Sequence, residues 1–269
     1  MKWVRFESNG TEAYGQLDSD NNIQVTDATW AGILAGEEAT VTGETSLEQV
    51  NLRNPVENPS KIVAIGLNYL DHCRETNTTP PSTPLIFTKF TTSIIGPGDE
   101  ICWSPELSSQ VDYEVELAAV IGKDCSHVSE ADALDYVAGY TVANDVSARD
   151  LQFSDGQWVR AKSLDTFCPM GPAFVTADEI PDPQVLEIRC TLNGQVMQNS
   201  NTKEMIFSVA NLVSYCSASF KLNAGDVIIT GTPHGVGLGM DPQVFMKEGD
   251  VVVVEVEKIG QLENVCREV

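Results

Sequence analysis

The chain has 269 residues, with 39 acids against 16 bases and a formal charge of −23. That balance lacks the basic footprint a phosphate backbone requires and disfavours an anionic membrane, so no nucleic-acid or membrane partner is expected. An apolar content of 42% over this length suffices for one large core with a small appendage and argues against disorder.

The acids are scattered in ones and twos, as in Asp18-Ser19-Asp20, Glu37-Glu38 and Asp178-Glu179. Dispersed charge of this kind serves solubility and suits a surface adapted to high salt, although an ordinary acidic cytosolic protein could carry it as well. Seven cysteines, an odd count with no CxxC pair, fit reduced thiols. The start, Met1 to Phe6, holds no apolar signal region and no run is long enough to span a membrane, so a cytoplasmic location is expected.

Residues 1–58 read as a small N-terminal β domain. Trp3–Phe6, Ala13–Leu17 and Asn22–Val25 are short strand patterns separated by the turn signals Asn9-Gly10 and Asp18–Asn21. A short helix is expected from Thr29 to Ala35, and Asn54-Pro55-Val56-Glu57-Asn58-Pro59 has the composition of a linker. Lys61–Gly66 then reads as a buried strand running into a helix with Asn68 as its cap. On that helix His72 and Glu75 are three residues apart, so they share a face; a carboxylate-oriented histidine is the usual form of a general base. A solvated surface pair would show the same spacing. The polar, proline-rich stretch from Thr76 to Pro84 is the candidate lid over this pair. Lys89, in the strand pattern Leu85–Phe90, is a structural or substrate-facing cation.

Val111 to Gly122 is the most informative stretch. Apolar residues alternate with acids, so a strand is expected, with Glu114 and Glu116 on one face behind Asp112. Adjacent carboxylates repel, and a divalent cation would relieve them; oxygen donors suit Mg²⁺, Mn²⁺ or Ca²⁺. An exposed acidic edge strand is the competing reading. A helix is expected at 129–138, capped by Ser129. The strand pattern from Val137 ends at Asn144-Asp145, which places Asp145 as a third carboxylate. Lys162, expected near Arg160 and Asp165, is an ion-pair partner or a group that holds an anion or moves a proton. Strand patterns follow at 186–192, 195–198, 227–230 and 251–256, with a helical apolar spacing at 208–217. Gly231–Gly239 is glycine-rich without GxGxxG, so dinucleotide binding is rejected; its N–H groups could still receive a carboxylate, and His234 is read as stabilising the turn.

These stretches together resemble the fumarylacetoacetate hydrolase family. The resemblance rests on Ile65-Gly66-Leu67-Asn68-Tyr69 with His72 and Glu75, on Val111–Gly122, on Asn144–Gln152, on Ala161–Pro172 and on Thr230–Gly237. It runs from about residue 60 to the end and is closest to the acylpyruvate hydrolases and related isomerases and decarboxylases. It implies an α+β, mainly β fold, in which a mixed sheet rolled into a barrel-like body forms a catalytic domain over residues 59–269. A homodimer is implied too. So is Mg²⁺ or Mn²⁺ on Glu114, Glu116 and Asp145, with His72 and Glu75 as a base dyad on a segment that orders over the substrate. Lys162 falls on the active-site lysine, and Arg149, Gln152 and Thr232 on positions that bind the carboxylate and oxo groups of a small 2-oxo acid. Leu164 and Ala173 depart from the usual phenylalanine and tryptophan, which leaves pocket shape open. The expected reaction is hydrolysis of the C–C bond of an acylpyruvate. The alternatives are oxaloacetate decarboxylation or isomerisation of a 2-hydroxymuconate-type diacid on the same site and, more remotely, 2-oxo-acid binding without catalysis.

Overall fold

The computed structural model describes residues 1–269. Two mixed sheets enclose the core, one of twelve strands and one of five. The larger begins at Val41–Ser46 and passes through Asn22–Thr26, Thr11–Leu17 and Lys2–Ser8. It continues through Cys168–Thr176, Val137–Asn144, Val115–Ile121 and Val227–Ile229 to Ile62–Gly66 and Leu85–Lys89. The smaller sheet orders Gln195–Asn201, Glu187–Leu192, Val251–Val256, Gly260–Glu268 and Glu100–Trp103. Most pairs are antiparallel; Val227–Ile229 lies parallel to Ile62–Gly66, and Gly260–Glu268 parallel to Glu100–Trp103. The architecture is the mainly β, mixed-sheet α+β class expected from the sequence.

Val115–Ile121 is central, and every residue of it is buried. Leu117, Ala119 and Ile121 join the core shared with Ile188, Val252 and Val254 of the smaller sheet. Ala118 and Val120 pack the other way, among Trp3, Trp30, Ile62 and Phe174. A strand buried on both faces loses the clean apolar–polar alternation of a half-exposed one. The exposed-edge reading of this stretch is thereby overturned.

The first 53 residues feed this architecture directly. Lys2 and Trp3 pair with Val175 and Phe174. Trp30 meets Phe174 edge-on at 5.2 Å and stacks on Tyr14 at 6.0 Å, contacts worth about 0.5–1.5 kcal/mol each beyond area burial. The short helix Trp30–Ala35 is capped by Thr29, whose hydroxyl accepts the Gly32 N–H at 3.1 Å. Val209–Ser219 is the longest helix, capped in the same way by Ser208.

Two local expectations fail for stated reasons. Ser129 does not cap a helix: its hydroxyl donates to the Asp132 carboxylate at 2.6 Å, and Glu130–Tyr136 is a 3₁₀ segment. Asn68 does not cap the following helix either, which runs from Leu70 to Glu75 with Tyr69 at the cap position. The Asn68 side chain instead donates to the Thr230 and Phe207 carbonyls and accepts the Phe207 N–H, clamping three segments together.

Candidate active site

The acidic stretch is not one strand. Val111–Asp112 pairs with Ser147–Ala148, and the long ladder starts only at Val115. Between them, side chains take over the backbone amides. Asp112 accepts the Tyr113 N–H, Asn144 Oδ1 the Glu114 N–H, and Gln198 Oε1 the Val115 N–H. Register then gathers the carboxylates. Val115 faces Asn144, so Glu114 meets Asp145, and the Asp145 N–H donates to the Glu114 carbonyl at 2.9 Å. On the other flank Ala118 faces Ile229, which brings the Gly231 N–H to Glu116 Oε2 at 2.6 Å.

Glu114, Glu116 and Asp145 each offer a carboxylate oxygen within 4.8 Å of the others, and all three are buried. Cations surround them. Lys162 Nζ donates to Glu114 and Asp145 at 2.8 Å each. Lys89, fully buried, donates to Asp145 Oδ1 at 2.5 Å and to the carbonyls of Val146 and Lys162. Arg149 Nη1 lies 2.7 Å from Glu114, and its Nε donates to Asp112 at 2.8 Å. Arg160 and Asp165 are not part of this group, since Arg160 pairs with Asp155 on the surface and Asp165 is exposed.

The buried charges nearly cancel. With every group counted as ionised, Asp112, Glu114, Glu116 and Asp145 face Lys89, Arg149 and Lys162, which leaves one negative charge over. Burial works against the charge of Glu114, but Lys162 and Arg149 outweigh it and lower the carboxyl to about 2. Glu116 goes the other way: burial, then the Asp145 and Glu114 carboxylates, push it well above the ordinary value. Burial opposes the charge of Lys162 too, yet Asp145 and Glu114 raise its pKa above that of a free lysine.

Three hard oxygen donors, with Glu116 held in repulsion by its neighbours, fit a divalent cation such as Mg²⁺ or Mn²⁺. Such an ion would turn the surplus negative charge into a surplus positive one, as an anionic substrate requires. One buried donor beside the cluster, Asn144 Nδ2, lacks a hydrogen-bond partner in the protein, whereas Arg149 Nη2 lies 2.8 Å from Asp112. An orphaned buried donor costs about 1–3 kcal/mol. Asp112, the first acid of the row, is not near enough to be a ligand; it anchors Arg149 and accepts the N–H groups of Gly237 and Leu238.

A cavity of about 300 Å³ opens beside the cluster, with Glu114 the one carboxylate of the three that lines it. Glu114, Arg149, Gln152, Lys162, Thr232 and His72 all reach it. His72 Nδ1 lies 2.9 Å from Glu75 Oε2, so the dyad forms as its spacing suggests. With Nδ1–H donated to Glu75, Nε2 is left with the free lone pair. Gln152 Oε1 accepts from Arg149 at 3.0 Å, and the Thr232 hydroxyl accepts from Gln198 at 2.8 Å. Thr76 and Thr78 of the expected lid contribute to the rim. The apolar wall consists of Ile65, Leu67, Phe87, Phe153, Trp158 and Leu238. Ala173 does not belong to it: that residue packs with Val4, Phe6 and Ile23 beneath the N-terminal strands. Leu164 packs against the main core instead of the cavity.

Sequence reasoning missed Gln198 and Asp71. Gln198 holds both Val115 and Thr232, and only a residue-level view of the second sheet reveals it. The glycine-rich stretch does receive carboxylates, but they are the protein's own. Its N–H groups at Gly231, Gly235 and Gly237 go to Glu116, Glu75 and Asp112. No helix is long and apolar enough to cross a membrane.

Residues 61–267 match the profile of the fumarylacetoacetate (FAA) hydrolase C-terminal domain, and residues 1–55 match an Rv2993c-like N-terminal one. An oxaloacetate tautomerase fahd2, mitochondrial, of Xenopus laevis is 49% identical over 240 residues, 85% of this chain and 75% of that protein. The Homo sapiens oxaloacetate tautomerase FAHD2A, mitochondrial, is 49% identical over 80% of this chain and 69% of its own length. Among solved structures, a fumarylacetoacetate hydrolase of Exiguobacterium antarcticum superposes over all of both chains with TM-score 0.91 and 38% identity. A 2-hydroxyhepta-2,4-diene-1,7-dioate isomerase of Mycobacterium marinum gives TM-score 0.85 at 38% identity, over 100% of this chain and 98% of its own. The chain therefore belongs to the fumarylacetoacetate hydrolase family.

Proposed function

We propose that this protein is a divalent-metal-dependent enzyme that moves a proton next to the carbonyl of a small 2-oxo diacid, interconverting keto and enol forms of oxaloacetate or a close analogue. The His72–Glu75 dyad carries the reading, because His72 lines the same cavity as Glu114 of the buried carboxylate cluster. The relatives named oxaloacetate tautomerase and the neighbour named as an isomerase favour proton transfer over the acylpyruvate cleavage that the resemblance first suggested.

Glu114, Glu116 and Asp145 would hold the metal. Bound there, Mg²⁺ or Mn²⁺ would act as a Lewis acid on the 2-oxo group. Arg149 and Lys162 supply the positive field that favours the substrate's carboxylate and the developing enolate charge. His72 Nε2 takes a proton from carbon 3, and Glu75 stabilises the imidazolium that results. A proton then returns to the enolate oxygen, and the reverse reaction follows the same path. We include a homodimer in this proposal, to be tested by sedimentation.

Cleavage of an acylpyruvate is the second reading. The apolar wall favours it: Phe87, Phe153, Trp158 and Leu238 line the cavity with no free cation among them to meet a second carboxylate. Following oxaloacetate enol absorbance, pyruvate release from oxaloacetate, and acetylpyruvate cleavage on one Mg²⁺-loaded preparation separates the reactions. Tautomerisation should be the fastest. Acetylpyruvate turnover with no effect on the enol would overturn the main reading.

A further inference from the structure

The helix that carries the base is only six residues long, Leu70–Glu75, and its cap residue Tyr69 makes no side-chain capping bond. A helix that short has no persistence of its own, so whatever grips it sets the position of His72. Glu75 Oε1 accepts the Gly235 N–H at 2.8 Å, one grip. Asp71, directly before His72, makes another. Its Oδ1 accepts the His72 N–H at 2.7 Å, and its Oδ2 accepts His234 Nδ1 at 2.9 Å together with the Ser200 hydroxyl. Asp71 and His234 both stand outside the cavity lining.

The Ser200–Asp71–His234 group is not a hydrolytic triad. In a triad the serine hydroxyl lies on the imidazole and the carboxylate holds the far nitrogen. Here hydroxyl and imidazole both donate to the same carboxylate oxygen, so nothing activates the serine. The arrangement joins three chain segments and has no nucleophile.

We infer that Asp71 and His234 form a positioning pair for the base: they fix the Leu70–Glu75 helix to the glycine-rich segment and so set turnover without contributing to substrate affinity. The inference rests on the reading of His72 as the base. Thr232, at the cavity, and His234, at the helix, are two residues apart on one segment. That segment also holds Asp112, and through it Arg149. A single stretch of backbone therefore ties the proton-transfer group to the anion-binding group.

The test compares the wild type with His234→Ala and His234→Asn, since an asparagine amide can donate from near the position of Nδ1. In His234→Ala, kcat for oxaloacetate should fall about fivefold, the size of one partly exposed charged contact, while KM and Mg²⁺ affinity stay at wild-type values. The amides of Cys73 and Thr76, which close the helix onto Tyr69 and His72, should exchange with deuterium faster. His234→Asn should restore both the exchange rate and kcat. Unchanged exchange in His234→Ala, or a rise in KM with kcat intact, overturns the inference. His72→Ala tests the underlying reading separately: wild-type turnover there removes His72 as base, while the exchange comparison still judges the grip on the helix.

Discussion

Lys89 is buried completely and has Asp145 as its only carboxylate partner, while Asp145 has two lysines. Removing one member of a buried pair leaves the other uncompensated, at about 3–5 kcal/mol. Lys89→Met should therefore lower the thermal midpoint strongly, and added Mg²⁺ should recover part of the loss by neutralising Asp145. A midpoint indifferent to Mg²⁺ would count against a metal at this cluster. Glu114→Ala removes a ligand with less structural damage, since Lys162 keeps Asp145 and Arg149 keeps Asp112. It should remain folded by circular dichroism and lose Mg²⁺ binding by titration calorimetry. Residue spacing made much of this group legible. Glu114 and Glu116 sit two apart in a strand pattern, and His72 and Glu75 three apart in a helix pattern. Lys89 was visible as a cation but not as a partner of Asp145, because 56 residues separate them and only sheet register brings them together.

At the scale of elements, the glycine-rich segment organises the site. Gly235 has φ +96°, and a Cβ there would stand 2.1 Å from the Met197 carbonyl oxygen. Both facts require glycine. Gly235→Ala should displace the N–H that holds Glu75, costing about 2–4 kcal/mol of stability by the mechanisms of strained backbone and overpacking. Activity should fall further than stability alone explains, as measured at a temperature where the variant is fully folded.

Asp71 adds a pH signature to the same element. Burial raises its pKa, but the Ser200 and His234 hydrogen bonds win and hold it below the ordinary carboxylate value. A depressed folded pKa stabilises above the unfolded value, about 3.9, and the stabilisation is lost as pH falls through the folded one. The gap in thermal midpoint between wild type and Asp71→Asn should be full at pH 6 and close below pH 4. A gap constant with pH would show that the carboxylate charge plays no part. The glycines announced a turn in the sequence. Which carboxylates they would receive was illegible, since Glu75, Glu116 and Asp112 come from three distant segments.

For the whole molecule, charge dominates. The buried cluster nearly balances, so the excess of 39 acids over 16 bases lies outside it, in a dispersed pattern that sequence alone made plain. Two opposing effects of salt follow. Exposed pairs such as Arg160–Asp155 and Lys221–Asp124 weaken as ions screen them, but exposed pairs contribute little to stability in the first place. Repulsion among the surplus acids weakens as well, and it acts across the entire surface. With so few bases to form pairs, the second effect should win. Raising KCl from 0.1 to 1 M shortens the screening length from about 10 Å to about 3 Å. A stabilisation of about 1–2 kcal/mol would raise the thermal midpoint by roughly 2–8 °C at this size. Chloride is the salt to use, because sulfate would strengthen apolar burial in any protein and blur the reading. A midpoint that stays flat or falls between those concentrations would mean that the acids are spaced widely enough to tolerate one another without screening. The salt-adapted reading of this surface would then be wrong, and its charge would be a matter of solubility alone.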